Sequence, residues 1–124
     1  MSKLTPQILN LFDVEKLRKE INWEKHETLN RSGSKIYDIY VNNEKEQRIS
    51  LVYCAPGSSA KNHLHTGNET FLILDGEFED DNGKYKKGDL VCYTEDSEHS
   101  WQSPKGALIY AVWGGNVISQ VEKA

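Results

Sequence analysis

Glu69 opens an otherwise apolar run, Glu69-Thr-Phe-Leu-Ile-Leu74, and follows His63-Leu-His65 by only Thr66-Gly-Asn68. Side chains alternate faces along a strand, so Glu69 shares a face with Phe71 and Ile73 and points with them toward an interior. A lone ionised carboxylate there would cost about several kcal/mol or change its pKa. His63 and His65 share a face by the same alternation. Two strand residues advance the chain by roughly 6–7 Å, close enough for both rings to converge on one ion. Gly67 and Asn68 tolerate positive φ and bend the chain cheaply. A cation held by His63 and His65 would remove the penalty on Glu69. His99, in Ser97-Glu-His-Ser-Trp101, stands 30 residues after Glu69, just before another apolar run, and completes a set of three imidazoles and one carboxylate. One histidine in a strand is ordinarily a surface or satisfied side chain; the four residues together look like a metal cage.

The rest of the chain has to bring those residues to one interior. From Lys35 the hydrophobic period is two. Lys35–Val41 reads as a strand, and Gln47–Cys54 pairs back on it as a hairpin. Ala55-Pro-Gly-Ser-Ser59 reads as a turn. Asp75-Gly76 is a tight bend or bulge, and Asn82-Gly83 a hairpin turn. Asp89–Tyr93 and Ala107–Trp113 are further strands, with a polar loop from Thr94 to Glu98 that presents His99. Short strands with turn signals every eight to twelve residues indicate an all-β sandwich or barrel. Before them, Asp13 is a plausible N-cap for a short helix over Val14–Lys19, and Asn30–Ser34 reads as a loop. The expected organisation is an N-terminal extension over 1–34 carrying the short helix, a β-barrel over 35–115 and a tail over 116–124.

Length and charge narrow the function. The chain has 124 residues, a single-domain size, with 15 basic against 19 acidic residues and a net charge of −4. No basic stripe is visible, which argues against nucleic acid. No apolar run reaches the ~18 residues of a membrane span, and the N-terminus lacks a secretory apolar segment. Cys54 and Cys92 lie in apolar strand-like runs and not in a Cys-x2-Cys clip, so both are expected as buried free thiols in a reducing cytoplasm. His26, between Lys25 and Glu27, is expected as a surface histidine, and Trp23 as cover for a core edge or a subunit contact.

The spacing Gly57-x5-His63-x-His65-x3-Glu69-x6-Gly76, followed by Gly88-x5-Thr94-x-Asp96-x2-His99, resembles the two blocks of the cupins. The first block matches at every fixed position. The second keeps Gly88 and His99 but has Thr94 for Pro, Asp96 for Gly and Ser103 for Asn, departures that touch the turn and not the ligands. Within the cupins, Ala55-Pro-Gly57, Leu74-Asp-Gly-Glu-Phe-Glu-Asp80 and the Glu69-to-His99 gap resemble the ChrR-like group. That group includes the C-terminal half of the ChrR zinc anti-sigma factor and small dioxygenases that cleave β-diketones or related ketones. The resemblance covers roughly Arg48 to Trp113. It implies a double-stranded β-helix, the cupin jelly-roll barrel, whose inward faces meet at the ligands.

His63, His65, Glu69 and His99 suit one divalent transition metal per chain, Fe, Zn, Mn or Ni, with Cu also compatible with the donor set. Around zinc, four protein ligands make a closed site; around octahedral Fe(II), they leave two positions open. The resemblance therefore implies a mononuclear metal-dependent enzyme for oxygen-dependent cleavage of a small dicarbonyl or hydroxy-ketone. The alternative is a zinc-binding sensor or regulatory module without catalysis, and a metal-assisted isomerase or sugar-binding cupin is a third possibility. Phe71, Ile73 and Trp101 share parity with ligands and are candidates to line the cavity, with core packing as their plain alternative. Tyr53 and Tyr93 could offer hydroxyls to a substrate, and no residue stands out as a general base. The expected partners are a small-molecule ligand and a second copy of the chain, a homodimer joined through the apolar Ile8–Phe12 segment.

Overall fold

A computed structural model of the chain describes residues 7–26, 31–115 and 117–119, apart from the side chains of His63 and of residues 117–119. Among the described residues, one helix, α1 (Val14–Glu20), precedes nine strands: β1 (Glu24–Lys25), β2 (Ser32–Asn42), β3 (Gln47–His65), β4 (Glu69–Asp80), β5 (Gly83–Lys86), β6 (Leu90–Tyr93), β7 (Glu98–Ser103), β8 (Ala107–Trp113) and β9 (Val117–Ser119). The fold is all-β, as the period-two pattern requires.

Two long strands close the barrel. The first part of β3 pairs with β8, from Arg48 opposite Trp113 to Cys54 opposite Ala107. Its second part pairs with β7, from Ser58 opposite Ser103 to Leu64 opposite Glu98. β4 does the same: Glu69 to Gly76 pair with β8, and Glu79 and Asp80 pair with β7. β8 is thus hydrogen-bonded on both edges, which explains why Ala107–Trp113 is almost continuously apolar. All pairings are antiparallel, and the described strands form one sheet curled on itself.

Pro56-Gly57 does not reverse the chain as the sequence suggests. β3 runs through it, and Gly57 takes φ 86° where the strand swings from β8 to β7. Residues 32–34 of the expected loop belong to β2, and the β4–β5 hairpin turns at Asp81 and Asn82, one residue earlier than Asn82-Gly83 suggested, with Asp80 opposite Gly83. The expected bulge at Asp75-Gly76 is present as a register shift between Ile73 and Asp75. A side chain at Gly76 would meet the Gly106 carbonyl oxygen at 2.1 Å, and φ there is 81°, so only glycine fits.

Burial separates into two layers. Inside the barrel, Ile36, Val52, Phe71, Ile73, Phe78, Trp101, Ile109 and Trp113 form one cluster. Outside it, Leu51, Leu74 and Leu108 pack with Leu17 of α1, flanked by Leu9, Leu11, Ile21 and Trp23. The carboxylate of Asp13 accepts from the Lys16 amide at 3.3 Å, as its N-cap position predicts, and Arg18 and Lys19 complement the negative end of the dipole in the last turn. Arg18 then reaches Asp75 at 2.7 Å, fixing the helix to β4. Trp23 covers this outer core, its ring tilted against Tyr53 at 6.1 Å. Two expectations of burial are reversed: Cys92 is exposed, because it faces outward on the short β6, and His26 is buried, because its amide bonds to the Ser34 carbonyl at 2.9 Å and draws it under β2.

Candidate metal centre

His65 ends β3, Glu69 begins β4 and His99 lies in β7, so three strands each send one side chain inward. The chain between His65 and Glu69 is held tightly. Asp96 N–H donates to the His65 carbonyl at 2.8 Å, His65 N–H to Ser97 at 3.0 Å, and Gly114 N–H to Asn68 at 2.9 Å. Asp96, standing where the two-block pattern has glycine, takes φ 68°, a conformation that aspartate tolerates better than most side chains.

The three side chains meet. His65, Glu69 and His99 each offer a donor atom, and these atoms all lie within 4.8 Å of one another. All three residues are buried, at 1%, 2% and 0% exposure. The strand backbone places His63 opposite His99 on one side and Ser119 on the other; its side chain lies outside the described residues. The imidazole rings of His65 and His99 stand edge to face at 4.7 Å, with Tyr93 against both.

Hydrogen bonds on the far side of each ring set the tautomers. The Ser97 hydroxyl donates to the Thr94 carbonyl at 2.5 Å, so it accepts from His65 Nδ1, 2.9 Å away. Asp80 Oδ2 accepts from His99 Nδ1 at 3.0 Å. Both rings therefore keep the Nε2 lone pair for the interior, the arrangement found around metal-bound histidines. His65 Nε2 stands 3.0 Å from Glu69 Oε2. Two lone-pair-bearing atoms at that distance repel unless positive charge lies between them. The donor set, two imidazoles and a carboxylate with their supporting bonds in place, fits a divalent transition ion.

Asp80 organises the support. Its carboxylate accepts from His99, from the hydroxyl of Tyr85 at 3.0 Å, from the amide of Asn82 at 2.8 Å and from the hydroxyl of Tyr93. Burial raises its pKa, but the bonds from His99, Tyr93, Asn82 and Tyr85 outweigh burial and hold it below the usual carboxylate range. Burial also lowers the pKa of His99, against the opposing pull of Asp80, which favours the neutral ring. Tyr93 is pushed up, by burial first and then by Asp80, so its hydroxyl is tied to holding Asp80. Tyr53, by contrast, packs under Trp23 in the outer layer.

Beside the cluster is a cavity of ≈ 20 Å³, room for about one water. Glu69, Phe71, Phe78, Trp101 and Trp113 line it, together with Cys54, His26 and Arg31. Phe71 and Trp101 thus stand at the wall, while Ile73 is packed in the barrel core and is not among the lining residues. Burial pulls Arg31 down to about 10, against the pull of the Glu69 carboxylate, so the guanidinium stays charged near neutral pH. Burial pushes the Cys54 thiol up to about 12. His26 is lowered to about 3, by burial first and then by Arg31 and Arg48.

A model of the ChrR cupin-like domain matches residues 17–117. The chain belongs to the ChrR cupin-like family. Solved cupins share its fold. A putative acetylacetone dioxygenase from Methylibium petroleiphilum PM1 superposes with a TM-score of 0.77 at 14% identity, over 100% of this chain and 88% of that one. An acetylacetone dioxygenase from Acinetobacter johnsonii gives 0.73 at 14% identity, over 94% and 79%. The anti-sigma factor ChrR of Rhodobacter sphaeroides, in complex with SigE, gives 0.65 at 20% identity, over 77% and 49%. No curated protein sequence matches. Both a dioxygenase and a regulator are therefore built on this cupin fold. Among the described residues, no helix is long and apolar enough to cross a membrane.

Asp80, Arg31 and His26 are the residues that sequence reasoning missed. Asp80 had a signal, since it shares strand parity with the core residue Phe78. Arg31 and His26 had none, because both sit among polar neighbours and are drawn inward by the β1–β2 pairing.

Proposed function

We propose that this cupin is a mononuclear metal-dependent enzyme that cleaves a small dicarbonyl or hydroxy-ketone with dioxygen, and that His63, His65, Glu69 and His99 are its metal ligands. One observation favours catalysis over a closed structural site. The His65–Glu69–His99 cluster borders a cavity with a charged guanidinium, Arg31, in its wall beside Trp101 and Trp113. The cavity leaves room for a water-sized ligand beside Glu69, which a closed four-ligand site would not need. Structural similarity over most of the chain to an acetylacetone dioxygenase, and to a second protein named as a putative one, supports the same reading.

The bound divalent ion, with iron, manganese, nickel and zinc all compatible, would supply Lewis-acid and oxygen-binding chemistry. The protein supplies the rest. Ser97 and Asp80 fix the two imidazoles, and Tyr85 and Tyr93 fix Asp80. Phe71, Phe78, Trp101 and Trp113 exclude water from the reacting centre. The free thiols, Cys54 buried and Cys92 exposed, fit a reducing cytoplasm.

Elemental analysis of untagged protein from medium with balanced trace metals tests the reading, followed by oxygen uptake on small diketones and hydroxy-ketones. The expected result is near one iron or manganese per chain and uptake on part of the panel. His99→Ala should abolish both. Stoichiometric zinc, with no uptake after reconstitution with iron, would replace the enzyme by a zinc-binding module resembling the anti-sigma cupin.

A further inference from the structure

Glu69 and Trp113 are cross-strand partners, the first residue of β4 opposite the last of β8. Side chains directly opposite each other project to one face of a sheet, and here both are buried. Their chemistry is complementary, since an indole Nε1–H only donates and a carboxylate only accepts. Yet Trp113 Nε1, a buried atom, makes no hydrogen bond to any described residue. The same holds for the hydroxyl of Ser34, which is 2% exposed on β2. Buried polar atoms without a protein partner are rare, and ordered water is what commonly satisfies them.

Trp113, Ser34 and Glu69 all line the cavity of ≈ 20 Å³. One water needs about 10–15 Å³ and roughly two to four polar partners. Phe71, Phe78 and Trp101 stand in the same wall and keep bulk solvent out, so whatever is held there is a single ordered molecule. That molecule has to accept from Trp113 and donate to Glu69. Water does both, whereas dioxygen cannot donate and a small anion would meet the carboxylate with like charge. Arg31, also in the wall, is a donor only, so it can share Glu69 but cannot serve Trp113. A carboxylate has about four acceptor positions, which leaves room for a water beside the His65 and Arg31 interactions of Glu69.

We propose that Trp113, Ser34 and Glu69 bind one water molecule in this cavity, and that Trp113 and Ser34 act through it as positioning residues for the Glu69 carboxylate. The positioning role rests on the metal reading above; the water site does not.

The test uses the full chain loaded with zinc, so that no turnover intervenes. Magnetic relaxation dispersion of the water signal counts long-lived internal waters, and NMR of nitrogen-labelled protein reads the Overhauser contact between the Trp113 indole proton and water. Trp113→Phe identifies the indole signal, and Trp23, whose Nε1 donates to the Arg18 carbonyl at 3.3 Å, is the reference. Competition with a chelator gives the zinc affinity of every variant. The wild type should show the indole contact with water. Ser34→Ala and Trp113→Phe should each lose one internal water and weaken zinc binding by about tenfold, while Ser34→Thr, which keeps the hydroxyl, should retain both. A wild type without the water contact at Trp113 overturns the water site and leaves the metal reading standing wherever zinc binds. A wild-type contact with zinc affinity unchanged in Ser34→Ala and Trp113→Phe overturns the positioning role. A wild type that shows the contact but takes up no zinc removes the metal reading, and the positioning role with it, and keeps the water site.

Discussion

Asp80 and His99 are joined by a 3.0 Å bond between Oδ2 and Nδ1, with both side chains at 0% exposure. The bond crosses from β4 to β7 at the place where those strands pair, Asp80 lying opposite Trp101. It fixes the tautomer of His99 and raises the basicity of its inner nitrogen. Asp80→Asn keeps the shape and removes the charge. We expect metal affinity to fall by about 10–100-fold. Competition with a fluorescent chelator measures this directly, and an unchanged affinity would reduce Asp80 to a packing residue.

The candidate site was legible only in part, for physical reasons. Glu69, Phe71 and Ile73 were placed inward by parity alone, and all three are buried. The inward placement of His65 and Glu69 follows from strand parity, whereas His99 joins them because β7 pairs with β3. Asp80 lies on the inward face of β4 with Phe78, yet its role depends on β7 arriving beside it, a contact 19 residues away in sequence. Pro56-Gly57 misled for the same reason: a local turn signal was overruled by the two partners between which β3 is shared. Cys92 and His26 went wrong in opposite directions, since local composition says little about which face of a short edge strand is covered.

His26 makes folding sensitive to acid. Its folded pKa is lowered to about 3 from an ordinary 6.5, by burial and then by Arg31 and Arg48, with Asp38 opposing. Between those values the unfolded chain binds a proton that the folded chain refuses, so stability is lost as pH falls. One such proton corresponds to a slope of about 1.4 kcal/mol per pH unit. Urea unfolding from pH 7 to pH 4, at fixed metal load, should show a shallower decline for His26→Gln than for the wild type. Parallel curves would mean that His26 is protonated in the fold.

Asp96 tests whether the second block tolerates its departures. The residue sits at φ 68°, where the cupin pattern has glycine. Left-handed backbone costs an ordinary side chain roughly 1–2 kcal/mol, and glycine nothing, but glycine also makes the unfolded chain freer. Asp96→Gly should therefore change stability by no more than ~0.5 kcal/mol, while Asp96→Val should cost ~1–2 kcal/mol. Chemical denaturation separates the two. Comparable losses in both variants would show that the Asp96 side chain itself holds the turn before His99.

The N-terminal segment supports a proposal about assembly. Leu9 and Leu11 turn inward to the outer core, whereas Ile8 and Phe12 are 85% and 96% exposed. Alternate residues thus face opposite ways, and the outward pair offers apolar surface to another molecule. We propose that it meets its own copy in a twofold dimer, the commonest symmetric assembly. Light scattering after sizing should give twice the chain mass at micromolar concentration, and Phe12→Glu should shift the population to the monomer. Because Phe12 touches water and not the barrel, the variant should retain the wild-type metal content. A wild type that is already monomeric would leave Ile8 and Phe12 as solvent-exposed apolar residues with no assembly to explain them.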